Sequence, residues 1–118
     1  MRYLLLIHDE EKMFATMSPQ EIGKLMGEYG KFTEEIMASG VFKDAARLRP
    51  VATATTVRVR NGKTTTTDGP FAETKEQLGG FYLIDVKDLD QAIQWAARIP
   101  SAKLGCVEVR PVWERDEQ

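Results

Sequence analysis

Apolar side chains fill both alternating sets of positions in residues 2–8, RYLLLIH, before the polar run His8-Asp9-Glu10-Glu11 begins. That pattern predicts a first strand covered on both faces. The period then lengthens: Ile22, Leu25, Met26, Tyr29, Phe32 and Ile36 recur at steps of three and four, the stripe of an amphipathic helix. Ser18-Pro19-Gln20-Glu21 supplies an N-cap, a proline at the first helical position and a glutamate placed to complete a capping box, while Ser39-Gly40 supplies the stop. Residues 51–60, VATATTVRVR, return to β-branched alternation, and Arg60-Asn61-Gly62-Lys63 predicts a type I′ turn into a second hairpin strand over 63–67. Residues 80–86 form another buried strand. Asp88-Leu89-Asp90-Gln91 caps a shorter helix that runs to Ile99 and stops at Pro100, and residues 106–112 close the chain as a last strand.

The predicted order is β-α-β-β-β-α-β, an α+β chain in which the middle hairpin extends a simpler β-α-β-β-α-β unit. Two helices cover one face of such a sheet, so the other face must meet solvent, a ligand or a second subunit. In the last strand Val107 and Val109 alternate with Glu108 and Arg110, which places the two charges on the open face if the valines meet the helices. Tyr82 and Ile84 alternate with Phe81 and Leu83, so that strand is apolar on both sides. A mostly apolar open face with few charges fits a homodimer interface enclosing a small-molecule pocket, and equally a plain dimer contact.

Composition narrows the classes. The 118 residues make one domain over 1–118, with 42% hydrophobic and 29% charged residues as in ordinary globular proteins. A net charge of -2 argues against a broad nucleic-acid footprint. The five-residue apolar run Tyr3–Ile7 is too short for a signal h-region or a membrane span, so a cytoplasmic protein with no membrane partner is expected. Cys106 is the single cysteine, which excludes an internal disulfide, and its strand position predicts a buried, inert thiol. One histidine, one cysteine and scattered carboxylates offer no metal-ligand spacing, and no Walker loop, GxGxxG or GxSxG run is present, so neither metal nor cofactor is expected.

The stretch between the hairpin and the next strand, TDGPFAETKEQLGGFY over 67–82, is longer than a turn requires. With the opening Tyr3-Leu-Leu-Leu-Ile7, the segment Tyr82-Leu-Ile-Asp-Val86, the helix residues Ala92-Ile-Gln-Trp-Ala96 and the ending Val107-Glu-Val-Arg-Pro111, it resembles the DGPF branch of the YCII-related proteins over nearly the whole chain. The resemblance implies a ferredoxin-like β-α-β-β-α-β sandwich, here with an extra β-hairpin, paired into a dimeric α/β barrel with a cleft near the sheet. It also implies, for the wider family, an active-site His and Asp, and for some relatives action on chlorinated hydroxyquinones. Counting back from Gly40, the family's helix histidine is replaced here by Tyr29, and this chain's only histidine is His8.

These residues define the expected site. Asp68 is placed to act as a general base in a cleft, or to accept amide hydrogen bonds within a rigid Asp68-Gly69-Pro70 corner. His8, at a strand end, has the side chain suited to proton transfer near neutrality, although His8 and Asp9 point to opposite strand faces and are no dyad. Tyr29 is either a phenolic donor to a ligand or a core residue with an accessible hydroxyl. Phe71 reads as a hydrophobic anchor or ligand contact, Tyr82 as a ligand contact, and Arg110 as a partner of Glu108 or of an anionic ligand. Arg58 and Arg60 read as solvated hairpin charges. With what the resemblance implies, they point to a cofactor-independent lyase or dehalogenase-type enzyme taking a small aromatic or anionic ligand, with a non-catalytic dimeric binding or regulatory module as the rival.

Overall fold

The computed structural model describes residues 1–116. Strand β1 (Arg2–Asp9) leads through a short helix α1 (Glu11–Thr16) into the long helix α2 (Pro19–Ala38). Then come β2 (Phe42–Arg47), the hairpin strands β3 (Thr55–Arg60) and β4 (Lys63–Asp68), β5 (Gln77–Asp85), α3 (Leu89–Arg98) and β6 (Cys106–Pro111). The main sheet is four-stranded and antiparallel in the order β2-β5-β1-β6, with β1 and β5 at its centre. Removing the hairpin and the short α1 leaves β-α-β-β-α-β in the order of strands and α-helices, compatible with the ferredoxin-like arrangement.

The helix ends follow their sequence signals. Ser18 Oγ accepts the Glu21 amide at 3.1 Å while Glu21 Oε1 accepts the Ser18 amide at 3.0 Å, a complete capping box. Gly40 ends α2 with φ at 85°. Asp88 Oδ1 takes the Gln91 amide at 3.0 Å to open α3. In the hairpin, Asn61 and Gly62 adopt φ of 54° and 73°, as a type I′ turn requires.

Both long helices pack on one sheet face. Along β1 the buried set is Tyr3, Leu5, Ile7 and Asp9, and on β5 it is Gly80, Tyr82 and Ile84. Phe32 and Ile36 of α2 and Ala92 and Ala96 of α3 close over them, with Leu5, Ile36, Ile84 and Ile99 fully buried. Each such side chain contributes about 1.5–3 kcal/mol by leaving water. Phe32 meets Tyr82 edge-on at 5.2 Å and Trp95 at 6.1 Å, joining both helices to β5.

Three features depart from the sequence reading. Residues 42–47 form an edge strand that the polar run FKDAAR concealed, since only Phe42 and Ala45 turn toward the core. The hairpin is a two-stranded sheet of its own rather than an extension of the main one, and its first strand starts at Thr55 because Val51–Thr53 forms a 3-10 turn. Cys106 is exposed, not buried, because it opens the edge strand β6. Among the described residues no helix is long and apolar enough to cross a membrane.

Candidate functional site

Three cross-strand rows line the helix-covered face of the sheet: Tyr3–Ile84–Phe42, Leu5–Tyr82–Ala45 and Ile7–Gly80–Arg47. In the first two, every position carries a side chain. In the third, Gly80 leaves the middle bare, and α2 bridges above it without filling the space. The result is a cavity of about 530 Å³ floored by Gly79 and Gly80 and walled by Phe14, Leu25, Met26 and Tyr82 among others. A volume of that size suits a small organic molecule.

The glycines at this floor are structural requirements. A Cβ on Gly80 would stand 2.6 Å from the Ala46 carbonyl oxygen, so β2 can lie against β5 only if residue 80 has no side chain. Gly79 is an extra residue in β5: Ile7 pairs with Gly80 and His8 with Leu78, leaving Gly79 as a bulge beside the cavity. Its carbonyl takes the Leu48 amide at 2.8 Å, which draws the chain after β2 around the cavity's edge.

A polar cluster closes the inner end. Asp9 is 7% exposed and Ser101 2%, the two buried polar residues of the core. Tyr29 Oη donates to Ser101 Oγ at 2.7 Å, and the Ser101 side chain is close enough to the Asp9 carboxyl to favour its charged form, so phenol, hydroxyl and carboxyl cluster at one place. Burial pushes the Asp9 carboxyl above the ordinary aspartate value, against the opposing pull of the nearby Ser101 hydroxyl. Burial likewise raises the Tyr29 phenol. Gly105 locks this arrangement to β1, since a Cβ there would fall 2.1 Å from the His8 carbonyl oxygen and 2.9 Å from Asp9 Cα. A second phenol, Tyr82 Oη, lies 3.0 Å from Thr33 Oγ1, one turn of α2 beyond Tyr29.

The residues singled out from sequence fall into three places. Tyr29 and Tyr82 line the cavity. His8 and Arg110 lie on the open sheet face, where His8 Nε2 is 3.4 Å from Glu108 Oε1 and Arg110 Nε donates to Glu108 Oε2 at 3.0 Å. The Arg110 hydrogen bond holds the Glu108 carboxyl below its usual range. Asp68 is exposed at the foot of the hairpin, opposite Thr55 in the ladder and outside the cavity lining. The corner there is closed by the Gly69 amide on the Ala54 carbonyl at 2.7 Å, with Gly69 at φ 103°, a region that favours glycine. Phe71 is 82% exposed and anchors nothing within one chain. Asp68 and His8 therefore stand on different surfaces, and the buried polar centre belongs to Asp9, Ser101 and Tyr29.

Asp9 and Ser101 were missed by sequence reasoning, though one signal was present. The alternation Tyr3, Leu5, Ile7 continues to residue 9, which puts Asp9 on the helix-covered face beside the apolar set. Among the described residues no group of three or more His, Cys, Asp or Glu converges for a metal ion.

Fold and cavity define a small α+β domain built around a ligand-sized space with an acid at its closed end. Residues 1–116 match the model of the YCII-related domain, and the chain belongs to that family. It is also 39% identical over 114 residues to an uncharacterized protein of Rhizobium meliloti (strain 1021), a match covering 95% of this chain and 92% of the relative.

Proposed function

We propose that this YCII-related protein is an acid/base enzyme acting on a small molecule in the helix-side cavity, through lyase or dehalogenase-type chemistry that needs no cofactor. The observation that carries the reading is the buried Asp9 carboxyl lining an apolar cavity, with Ser101 nearby and hydrogen-bonded by Tyr29. A carboxyl whose proton affinity is raised by burial is suited to accept a proton from an acidic C–H or O–H and return it later in the reaction. Ser101 stabilises the charged form, and Tyr29 stabilises Ser101. Tyr82 and Thr33 offer a second hydroxyl pair to orient an oxygen on the substrate.

The test is a panel of small phenols, enols and halogenated hydroxyquinones, followed for halide release and for solvent-deuterium incorporation. Asp9→Asn is expected to lower turnover of an active member by about a hundredfold or more while the circular dichroism stays native. Undiminished turnover in that variant would remove Asp9 from the chemistry and the proposal with it.

A second reading is favoured by the open face, where Leu4, Leu6, Phe81 and Leu83 form a half-buried apolar stripe beside His8, Glu108 and Arg110. In this reading two copies pair through these faces as a dimeric α/β barrel, and the protein is a binding or regulatory module in which His8 and Arg110 serve the interface. Leu83→Glu would place a charge in that contact, and sedimentation of the variant as a dimer would refute it.

A further inference from the structure

The outer end of the cavity differs from the inner one. Arg47 is the only Lys or Arg among the lining residues, and it is exposed where Asp9 is buried. Arg2, Arg98, Arg110, Lys75 and Lys103 are all committed to carboxylates, but no ion pair among the described residues involves Arg47. Glu11, the other acid of the lining, does not serve it. Its Oε2 accepts the Val51 amide at 2.9 Å, which binds it to the loop after β2.

Arg47 and Ile7 flank the bare Gly80 from opposite sides, so the Arg47 backbone lies two strand spacings from β1, about 10 Å across the floor. The space between is apolar, lined by Leu25, Met26 and Tyr82. We infer that Arg47 sets the substrate class: a small apolar acid whose carboxylate docks on Arg47 at the mouth and whose one- or two-ring body lies over Gly80, with its far end against Asp9 and Ser101. This rests on the cavity being the ligand site, as proposed above. A planar guanidinium pairs with a carboxylate through two parallel hydrogen bonds, which gives orientation as well as affinity. Orientation matters here because the inner end offers no cation: a carboxylate turned inward would lose its water beside the Asp9 carboxyl with no positive partner, so the two ends favour one binding direction.

The test uses 2-naphthoate and its neutral counterpart 2-naphthamide, titrated into uniformly 15N-labelled full-length protein, with the amides of Gly79, Gly80, Arg47 and Leu48 as reporters. The naphthoate should bind about tenfold more tightly than the amide, the size of one charge-assisted contact. Arg47→Gln should bring that ratio close to one, chiefly by weakening the naphthoate. Arg47→Lys should keep part of it, as a point charge without the fork. Equal affinities in the parent protein, or an undiminished ratio in Arg47→Gln, with both probes shifting the cavity amides, would overturn the inference and leave the cavity reading standing. If neither probe moves those amides, the cavity is not the site and both fall together.

Discussion

Gly105 is where the placement of Asp9 can be tested most directly. A methyl group at residue 105 would lie 2.1 Å from the His8 carbonyl oxygen and 2.9 Å from Asp9 Cα. Carbon and oxygen approach no closer than about 3.3 Å without repulsion, so roughly 1 Å of overlap must be relieved by moving backbone. No flexible side chain is present to swing aside. Overpacking of this kind costs about 1–3 kcal/mol, and we expect Gly105→Ala to fall near the top, about 3 kcal/mol. For a domain of this size that lowers Tm by about 12 °C. The control is the same substitution in α2: a Cβ on Gly27 meets nothing within 4 Å, and the residue is helical and exposed. Gly27→Ala should raise stability by about 0.5–1 kcal/mol through helix propensity alone. Urea and thermal unfolding followed by circular dichroism measure both. Gly105→Ala within about 0.5 kcal/mol of the parent, or the same sign for both variants, would refute the close packing of residue 105 against β1.

The pH dependence of stability should carry the signature of Asp9. Its folded carboxyl is raised by burial, so the folded chain holds that proton more tightly than the unfolded one, and stability falls as pH climbs from about 3.9, the unfolded value, through the raised folded value. Asp9→Asn removes this loss: its stability relative to the parent should rise across that window and level off above it, and a flat difference from acid to neutral pH in urea unfolding would contradict the assignment. Ser18→Ala breaks the capping box at α2 and should cost about 1 kcal/mol by the same unfolding measurement, with no change in the spectrum of the folded state.

What could be read from sequence follows the strength of local signals. The boundaries of α2 were legible because Ser18, Pro19, Glu21 and Gly40 each act on their own backbone, and the hairpin because Asn61-Gly62 leaves little choice of turn. The edge strand β2 was hidden: Lys43, Asp44 and Arg47 are exposed, and its pairing depends on Gly80, a residue more than thirty positions away. The density of breakers around Asp68 marks the hairpin's foot, where Gly69 turns the chain. The same motif held the informative pair further on, since Gly79 and Gly80 make the cavity floor. Their meaning lies in what is missing from the space above them, and that depends on how α2 crosses the sheet.

The separation of hairpin and sheet has a consequence for how the molecule opens. β3 and β4 pair only with each other, closed at the base by the Gly69–Ala54 bond and by Thr56 Oγ1 donating to the Gly69 carbonyl at 2.8 Å. A lone two-stranded ribbon is marginal in water. Its amide protons therefore trade with solvent through local fraying, whereas β1 and β5, bonded along both edges, surrender theirs only when the whole sheet comes apart. A protease nick between Asn61 and Gly62 would leave the buried carboxyl and its cavity intact, so the lifetime of the cavity is that of the four-stranded sheet and not of the arm beside it.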